Sequence, residues 1–213
     1  MAGLTLVIGN KAHSSWSLRP WLALKHAGLD FVEVVVPLRQ PDTKDRIRAH
    51  SPSGKVPVLK HGDLTIWDSL AICEYAADLA PEAGLWPDAP KVRAVARAVS
   101  AEMHSGFADL RQTLPMNLKR PNPGAPRTVA CERDIARVLD IWARTRADHG
   151  AGGPFLFGRF SIADCMYAPV VTRFLTYGVK LPDVARAYAD AVMALPAMQA
   201  WVEAAKAEPW DIS

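Results

Sequence analysis

Cysteine is scarce in this sequence, with three residues in a chain of 213, and the three stand far apart. Cys73, Cys131 and Cys165 form no C-x-x-C pair, and no histidine lies near them at the spacing of a zinc site. The pattern argues against a disulfide framework and against a bound metal. We expect three reduced thiols in the core, because free cysteine usually behaves as a small buried hydrophobe.

Long apolar runs and an excess of one charge are also missing. No stretch approaches the ~18 uninterrupted apolar residues of a membrane span, and the first residues lack the features of a signal peptide. The 25 Lys and Arg against 22 Asp and Glu leave a charge of +3, too small and too scattered for a nucleic-acid surface. With half of its residues apolar, the chain is expected to be a cytoplasmic globular protein that binds neither nucleic acid nor membranes.

The sequence pattern divides the chain into two parts. Strand-like runs such as LTLVIG and FVEVVVPL alternate with helix-like ones up to the segment LAPEAGLWPDAPK, which is rich in proline, glycine and alanine. Beyond it almost every segment has helical periodicity, apart from the proline-rich loop PMNLKRPNPGAP. This predicts an α/β domain over residues 1–83 and an all-helical domain over residues 84–213.

Local signals predict several boundaries. A helix is expected from Ser17 to Ala27, with a proline in its first turn and a glycine just past its end. VPVLK and LTIW read as a hairpin turning at His61-Gly62-Asp63. The pair Ser161 and Asp164 has the spacing of a capping box, which we assign to folding rather than to chemistry.

The segment GNKAHSSWSLRPW places three hydroxyls between a strand and the start of a helix. Exposed N–H groups and the helix dipole make such a place suitable for holding an anion, including a thiolate. Redox proteins built on a thioredoxin-like unit carry C-x-x-C here, and the corresponding pair would be Ser14 and Ser17. Because the protein supplies no sulfur at this point, the thiol would belong to a ligand. The alternative is that Ser14, Ser15 and Ser17 only cap the helix.

Two further segments could hold the ends of a ligand. In WDSLAICEY, Asp68 could bind an ammonium, and Ser69 could offer a hydroxyl and an N–H to a carboxylate, although Asp68 could equally be a simple helix cap. In SGKVPVL, a cis bond before the proline would turn the backbone of Val56 towards an extended peptide. Lys55 beside it could meet a terminal carboxylate or be solvated.

Together, the hydroxyl loop, GKVPVL, WDSLAICEY, FSIADC and the helical second half resemble the cytosolic glutathione transferase family over essentially the whole chain. SSWSLR is similar to the serine motif of the zeta class, which includes maleylacetoacetate isomerases, and GKVP also resembles the theta class. The resemblance implies a thioredoxin-like domain of four-stranded mixed sheet, then an α-helical bundle domain, in a homodimer. It also implies glutathione as co-substrate and no metal.

The resemblance assigns roles to the residues singled out above. Ser14 would hydrogen-bond the glutathione sulfur, with Ser15 as its rival and Ser17 as a neighbour in the same loop. The remaining roles concern the tripeptide backbone: Val56 would pair with the cysteinyl part, Lys55 would lie near the glycine carboxylate, and Asp68 with Ser69 would hold the γ-glutamyl head group.

The second-substrate pocket is expected to include Trp16, Met103, His104 and Arg111. Met103 could instead be core, and His104 a helix histidine with an ordinary partner. Arg173 could hold the carboxylate of an acidic substrate. Trp16 stands where the zeta pattern generally has cysteine, and Asp68 stands where it generally has glutamine.

Three functions are compatible with these residues. The first is an enzyme that uses the glutathione thiolate to attack small hydrophobic electrophiles or to reduce peroxides. The second is a cis-trans isomerase of the maleylacetoacetate type, against which the two departures from the zeta pattern count. The third is a non-catalytic binding or regulatory protein on the same scaffold, because fold does not imply function.

Overall fold

A four-stranded mixed sheet forms the N-terminal part of the structure. The computed structural model describes residues 3–210, so the first two residues of the predicted sheet domain and the last three of the helical domain lie outside the description. The strand order is β2-β1-β3-β4, with β1 and β2 parallel and the other pairs antiparallel. The strands are β1 (Leu4–Ile8), β2 (Phe31–Val35), β3 (Val58–His61) and β4 (Leu64–Trp67).

Helices make up most of the rest of the described chain, and three of them belong to the sheet-containing part. These are α1 (Ser15–His26), α2 (Thr43–Arg48) and α3 (Ser69–Leu79). The helices that follow are α4 (Pro90–Ser105), α5 (Ala108–Thr113), α6 (Val129–His149), α7 (Ile162–Thr176), α8 (Asp183–Ala194) and α9 (Pro196–Ala207). This arrangement confirms the predicted fold class. The exact division at residue 84 stays a prediction.

Helix α1 begins two residues earlier than the sequence predicted. The carbonyl of Ser14 accepts hydrogen bonds from the N–H groups of Ser17 at 3.1 Å and Leu18 at 3.3 Å, so Ser14 is the N-cap. The helix ends at His26, and Gly28 follows with the positive φ of 66° that glycine adopts without strain. Ser15 and Ser17 therefore belong to the helix, and Ser14 is the last residue of the loop before it.

The hairpin of β3 and β4 turns at Gly62, whose φ is 59°. The peptide between Val56 and Pro57 is cis, and β3 begins directly after it. A proline has no N–H to donate to a ladder, so the strand starts at the first residue that can. Residues 53–57 form the turn before β3, and this turn borders a cavity.

Helix α7 joins the two parts at the centre of the molecule. It packs against α1 on one side and α4 on the other, and its residues from Ile162 to Phe174 are all buried. Its start has the predicted capping box: Ser161 N–H donates to Asp164 Oδ2 at 2.8 Å. The three cysteines are free and buried, as expected. Within residues 3–210 no helix is both long and apolar enough to cross a membrane.

Candidate active site

A cavity of about 620 Å³ lies where the edge of the sheet faces α4. Six of the residues singled out from the sequence line it: Trp16, Lys55, Val56, Asp68, Ser69 and His104. They come from the start of α1, the turn before β3, the start of α3 and the end of α4. Four separate parts of the chain therefore meet at one concave surface, which is the usual form of a small-molecule site.

Pro57, the proline of the cis bond considered from the sequence, also lines the cavity, together with two residues that were not singled out. Ser53 belongs to the turn that carries Lys55, and Trp67 is the last residue of β4. The side chain of Trp67 is 49% exposed, which is unusual for so large an apolar group. The signal available in the sequence was the position of Trp67 directly before Asp68. The last residue of a strand lies next to the start of the helix that follows it, so Trp67 adjoins the same site.

Asp68 connects the two parts of the protein. Its Oδ1 accepts the N–H of Leu70 at 2.9 Å and that of Ala71 at 3.4 Å, so it caps α3 as its N-cap residue. Its Oδ2 lies 3.1 Å from Nε2 of His104. Asp68 also has a φ of 77°, which is uncommon for a residue other than glycine and is frequent at functional sites. The carboxylate is thus both a helix cap and a group facing the cavity.

The hydroxyl of Ser69 is unpaired among the described residues. The residue is 1% exposed and lines the cavity. Its Oγ is buried, and no hydrogen-bond partner for it exists among the described residues. A buried polar atom without a partner costs free energy, on the order of 1–3 kcal/mol, so an orphan of this kind in a cavity wall points to a ligand.

The hydroxyl of Ser14 ends a short chain of hydrogen bonds. Gly9 N–H donates to Ser17 Oγ at 3.1 Å, and Ser17 Oγ lies 2.7 Å from Ser14 Oγ. Ser17 is fully buried, and either hydroxyl can be the donor in its bond to Ser14. When Ser17 donates, the Ser14 proton is available to a ligand. The Ser14 side chain makes no capping bond to α1. We call residues 9–14 the serine loop.

The hydroxyl of Ser15 has a different environment. It accepts a hydrogen bond from Nη2 of Arg173 at 3.0 Å. Ser14 and Ser15 are 6% and 5% exposed and precede Trp16 in the chain, but neither is among the residues that line the cavity. Ser17 is also absent from the cavity wall, and its hydroxyl is hydrogen-bonded to that of Ser14.

Trp16 is surrounded by cationic and aromatic groups. The guanidinium of Arg19 lies 4.2 Å from the centre of its ring, and that of Arg111 lies 5.3 Å away. His104 meets the ring edge-on at 5.4 Å. Such cation–π contacts stabilise the orientation of an indole. The face of Trp16 is therefore packed against cationic groups.

Arg19 is a buried cation without a carboxylate partner. It is 1% exposed, and its Nε and Nη1 have no partner among the described residues. Burial, together with the neighbouring Arg173 and Arg111, lowers the pKa of Arg19 to about 9. Burial also lowers the pKa of Arg111, an effect that Asp134 partly offsets. The start of α1 thus lies in a positive environment.

Two predicted pocket residues are placed away from the cavity. Met103 is 1% exposed and belongs to the core, on the same face of α4 as Ala96 and Ser100. Arg111 stands behind Trp16, where its Nη1 donates to the carbonyl of Met103 at 3.3 Å. Neither is among the lining residues. Helical periodicity accounts for the buried position of Met103, and contact with the aromatic face of Trp16 accounts for the position of the partly buried Arg111.

A thioredoxin-like sheet followed by a helical domain, with a cavity between them, defines the class of glutathione-binding transferases. The sequence matches the profile "Glutathione S-transferase, N-terminal domain" over residues 13–79 and "Glutathione S-transferase, C-terminal domain" over residues 93–204. The chain therefore belongs to the glutathione S-transferase family.

Individual relatives agree with this assignment. Glutathione S-transferase F14 of Arabidopsis thaliana is 30% identical over 87% of this chain and 73% of its own length. A probable maleylacetoacetate isomerase of Caenorhabditis elegans is 35% identical, but the match spans 47% of this chain and only 46%, about half, of that protein. A glutathione transferase homologue from Burkholderia, solved with bound glutathione, has a TM-score of 0.74 at 26% identity, covering 96% of this chain and 98% of its own.

Proposed function

We propose that the protein binds glutathione in the 620 Å³ cavity and activates its thiol for attack on small electrophiles. The observation that carries this proposal is the orphan hydroxyl of Ser69 beside the carboxylate of Asp68 in one cavity wall. An acceptor for a cation and a donor for an anion, side by side, match the α-amino and α-carboxylate groups of a γ-glutamyl residue. The glutathione bound to the Burkholderia homologue supports the same ligand.

The cysteinyl and glycine residues of glutathione would also meet suitable groups in the cavity wall. Lys55 offers a cation to the glycine carboxylate, and the backbone of Val56 offers an N–H and a C=O to the cysteinyl residue. Both residues line the same cavity as Asp68 and Ser69. Binding in this orientation directs the sulfur towards the start of α1 and the serine loop.

At the start of α1 the sulfur would meet the Ser14 hydroxyl. A free thiol has a pKa of ~8.5, so lowering it by about two units requires ~2.7 kcal/mol of preferential stabilisation of the thiolate. A hydrogen bond from a hydroxyl to a charged acceptor contributes ~1.5–3 kcal/mol, and the helix dipole ~0.3–1 kcal/mol. The nearby guanidinium groups of Arg19, Arg111 and Arg173 add to the positive potential. These terms are sufficient for activation.

The electrophile would lie against the apolar part of the wall. Trp16 and Trp67 offer aromatic surface there, and His104 borders it. The proposed step is attack of the sulfur lone pair on an electrophilic carbon, with loss of a leaving group or addition to a double bond. The thiol proton leaves to solvent or base as the thiolate forms.

An isomerase of the maleylacetoacetate type is the second candidate, favoured by the similarity to the Caenorhabditis elegans protein. Such a reaction would use the same thiolate for transient addition to a double bond. The position of Arg173 does not favour it. Its guanidinium is 4% exposed and already donates to Ser15 and to the carbonyls of Arg111 and Leu114, so little of it remains for a substrate carboxylate.

The assembly and location that fit this function are a homodimer in the cytoplasm. The edge strand β4 supports a dimer because one side of it has no strand partner among the described residues, and Leu64 on this strand is 48% exposed. An exposed apolar strand edge commonly marks a contact with another chain.

The test is calorimetric titration with glutathione, combined with the ultraviolet absorbance of the bound thiolate as a function of pH. We expect binding with a bound-thiol pKa clearly below that of free glutathione. Turnover with a chlorinated nitrobenzene, a peroxide and maleylacetoacetate then separates transferase, peroxidase and isomerase. Absence of binding would reject both enzymatic functions and leave a non-catalytic protein on this scaffold.

A further inference from the structure

The carboxylate of Glu208, just beyond the end of α9, binds the loop that leads to Ser14. Its Oε1 accepts the N–H of Lys11 at 2.6 Å, and its Oε2 accepts the N–H of Ala12 at 3.1 Å. One side chain from the far end of the chain therefore holds two consecutive backbone donors of the serine loop. Hydrogen bonds to a charged acceptor are stronger than those between neutral groups.

The two carbonyls of the same residues are also held by the helical domain. Lys11 C=O accepts from the indole Nε1 of Trp201 at 2.9 Å, and Ala12 C=O accepts from the N–H of Leu118 at 3.2 Å. All four backbone polar groups of Lys11 and Ala12 thus have partners outside the sheet. Because Ala12 is fully buried, these groups have to be paired within the protein.

The position of Glu208 is fixed from its own side. The ammonium of Lys119 donates to the backbone carbonyl of Glu208 and, at 3.1 Å, to that of Trp210. Lys119 follows Leu118, so the loop that binds Ala12 also anchors the segment that carries Glu208. The serine loop, residues 116–119 and residues 208–210 form one connected junction.

A shift of this junction would also displace Ser14, whose hydroxyl is the proposed donor to the glutathione sulfur. The carbonyl of Asn10 accepts the N–H of His13 at 3.1 Å and that of Ser14 at 2.8 Å, which closes the loop into a tight turn. Lys11 and Ala12 form the middle of that turn, so they cannot move without moving its end. A misplacement of about 1 Å at a reacting group can reduce the rate by about 100-fold.

We infer that Glu208 is a positioning residue, which holds the serine loop in the geometry that Ser14 needs to hydrogen-bond the glutathione sulfur. The inference rests on the proposed function for its chemistry. The hydrogen bonds from Lys11 and Ala12 to Glu208 do not depend on that function. It assigns a part in thiol activation to Glu208, which lies 194 positions after Ser14 in the sequence.

The test compares Glu208→Gln with Glu203→Gln, a matched change at an exposed position of α9. In Glu208→Gln the amide oxygen can still accept one N–H, but the amide NH₂ faces the other donor. Hydrogen exchange without glutathione should become at least about 3-fold faster in residues 9–14. The bound-thiol pKa should rise by about 0.5 unit and kcat should fall by about 10-fold. Glu203→Gln should match the wild type in all three.

The outcomes separate this inference from the proposed function. If the wild type lowers the thiol pKa and Glu208→Gln lowers it equally, with unchanged kcat, the inference is overturned and the proposed function stands. If the wild type itself binds no glutathione, the proposed function fails and the positioning role fails with it. The exchange measurement then still reports whether Glu208 holds the loop. A fall in melting temperature without a change in thiol pKa would indicate a purely structural contact.

Discussion

Oδ2 of Asp68 and Nε2 of His104 lie 3.1 Å apart, so a carboxylate beside the sheet and an imidazole of the helical domain meet across the cavity. The other oxygen of Asp68 caps α3. A ligand ammonium that binds Asp68 would therefore share Oδ2 with His104. The proposed head-group site would therefore include residues from both halves of the protein, although the sequence assigned it to one.

Asp68→Asn should weaken glutathione binding by about 10-fold, which corresponds to ~1.4 kcal/mol. Asparagine keeps an oxygen that can cap α3 but loses the charge that attracts the ammonium. Calorimetric titration measures the effect, and cysteinylglycine, which lacks the γ-glutamyl group, provides the control. Wild type and variant should bind cysteinylglycine alike. An equal loss of affinity for both ligands would assign Asp68 to folding alone.

Ser14→Ala should raise the bound-thiol pKa by about 1–2 units and lower kcat about 100-fold, as removal of one donor to a developing anion generally does. Ser15→Ala tests the rival assignment: the Ser15 oxygen accepts from Arg173, which leaves its proton free to donate, so a small effect on the thiol pKa is expected only if Ser14 makes the thiol contact. Ser17→Ala should give an intermediate effect, since it removes the hydroxyl hydrogen-bonded to Ser14. The bound-thiol titration of the three variants checks this order. The reverse order for Ser14 and Ser15 would transfer the thiol contact to Ser15.

Arg173→Met should destabilise the protein by roughly 3 kcal/mol, measured by urea unfolding. The side chain is buried and satisfies the carbonyls of Arg111 and Leu114, each of which would lose a partner at a cost of ~1–3 kcal/mol. The fall in stability should appear whichever electrophile is used. A variant of normal stability that had lost only turnover of acidic substrates would instead support a carboxylate-binding role and the isomerase.

Much of the cavity wall was readable from the sequence. Lys55, Val56, Asp68 and Ser69 each stand at a strand end or helix start, where local signals fix the backbone, and all four line the cavity. Met103 was harder to assign, because the spacing that places a residue on a helix face does not say which face borders a cavity.

The remaining contacts depend on residues far apart in the sequence. Glu208 meets Lys11 only because α9 packs beside α1, and Arg173 meets Ser15 only because α7 does. The local sequence around Glu208 and Arg173 contains no signal for these contacts. Pairings of this kind follow from the packing of whole helices, which periodicity does not determine.

Asp164 should make the stability of the protein depend on pH below neutrality. Burial raises its pKa from 3.8 to about 6, against the opposing effect of hydrogen bonds from Leu156 and Ser161. The native state then holds this proton more tightly than the unfolded state does. The contribution to stability is full below pH 3.8 and is lost as the pH rises through 6, by about 3 kcal/mol.

Comparison with Asp164→Asn isolates this contribution, because all other titrating groups are shared. The free energy of unfolding of the wild type minus that of Asp164→Asn should fall as the pH is raised from 4 to 7. Urea unfolding at half-unit intervals measures the difference. A difference that rises over this range would mean that the hydrogen bonds from Leu156 and Ser161 outweigh burial and keep Asp164 ionised in the native state. The capping box would then act through a carboxylate rather than a carboxylic acid.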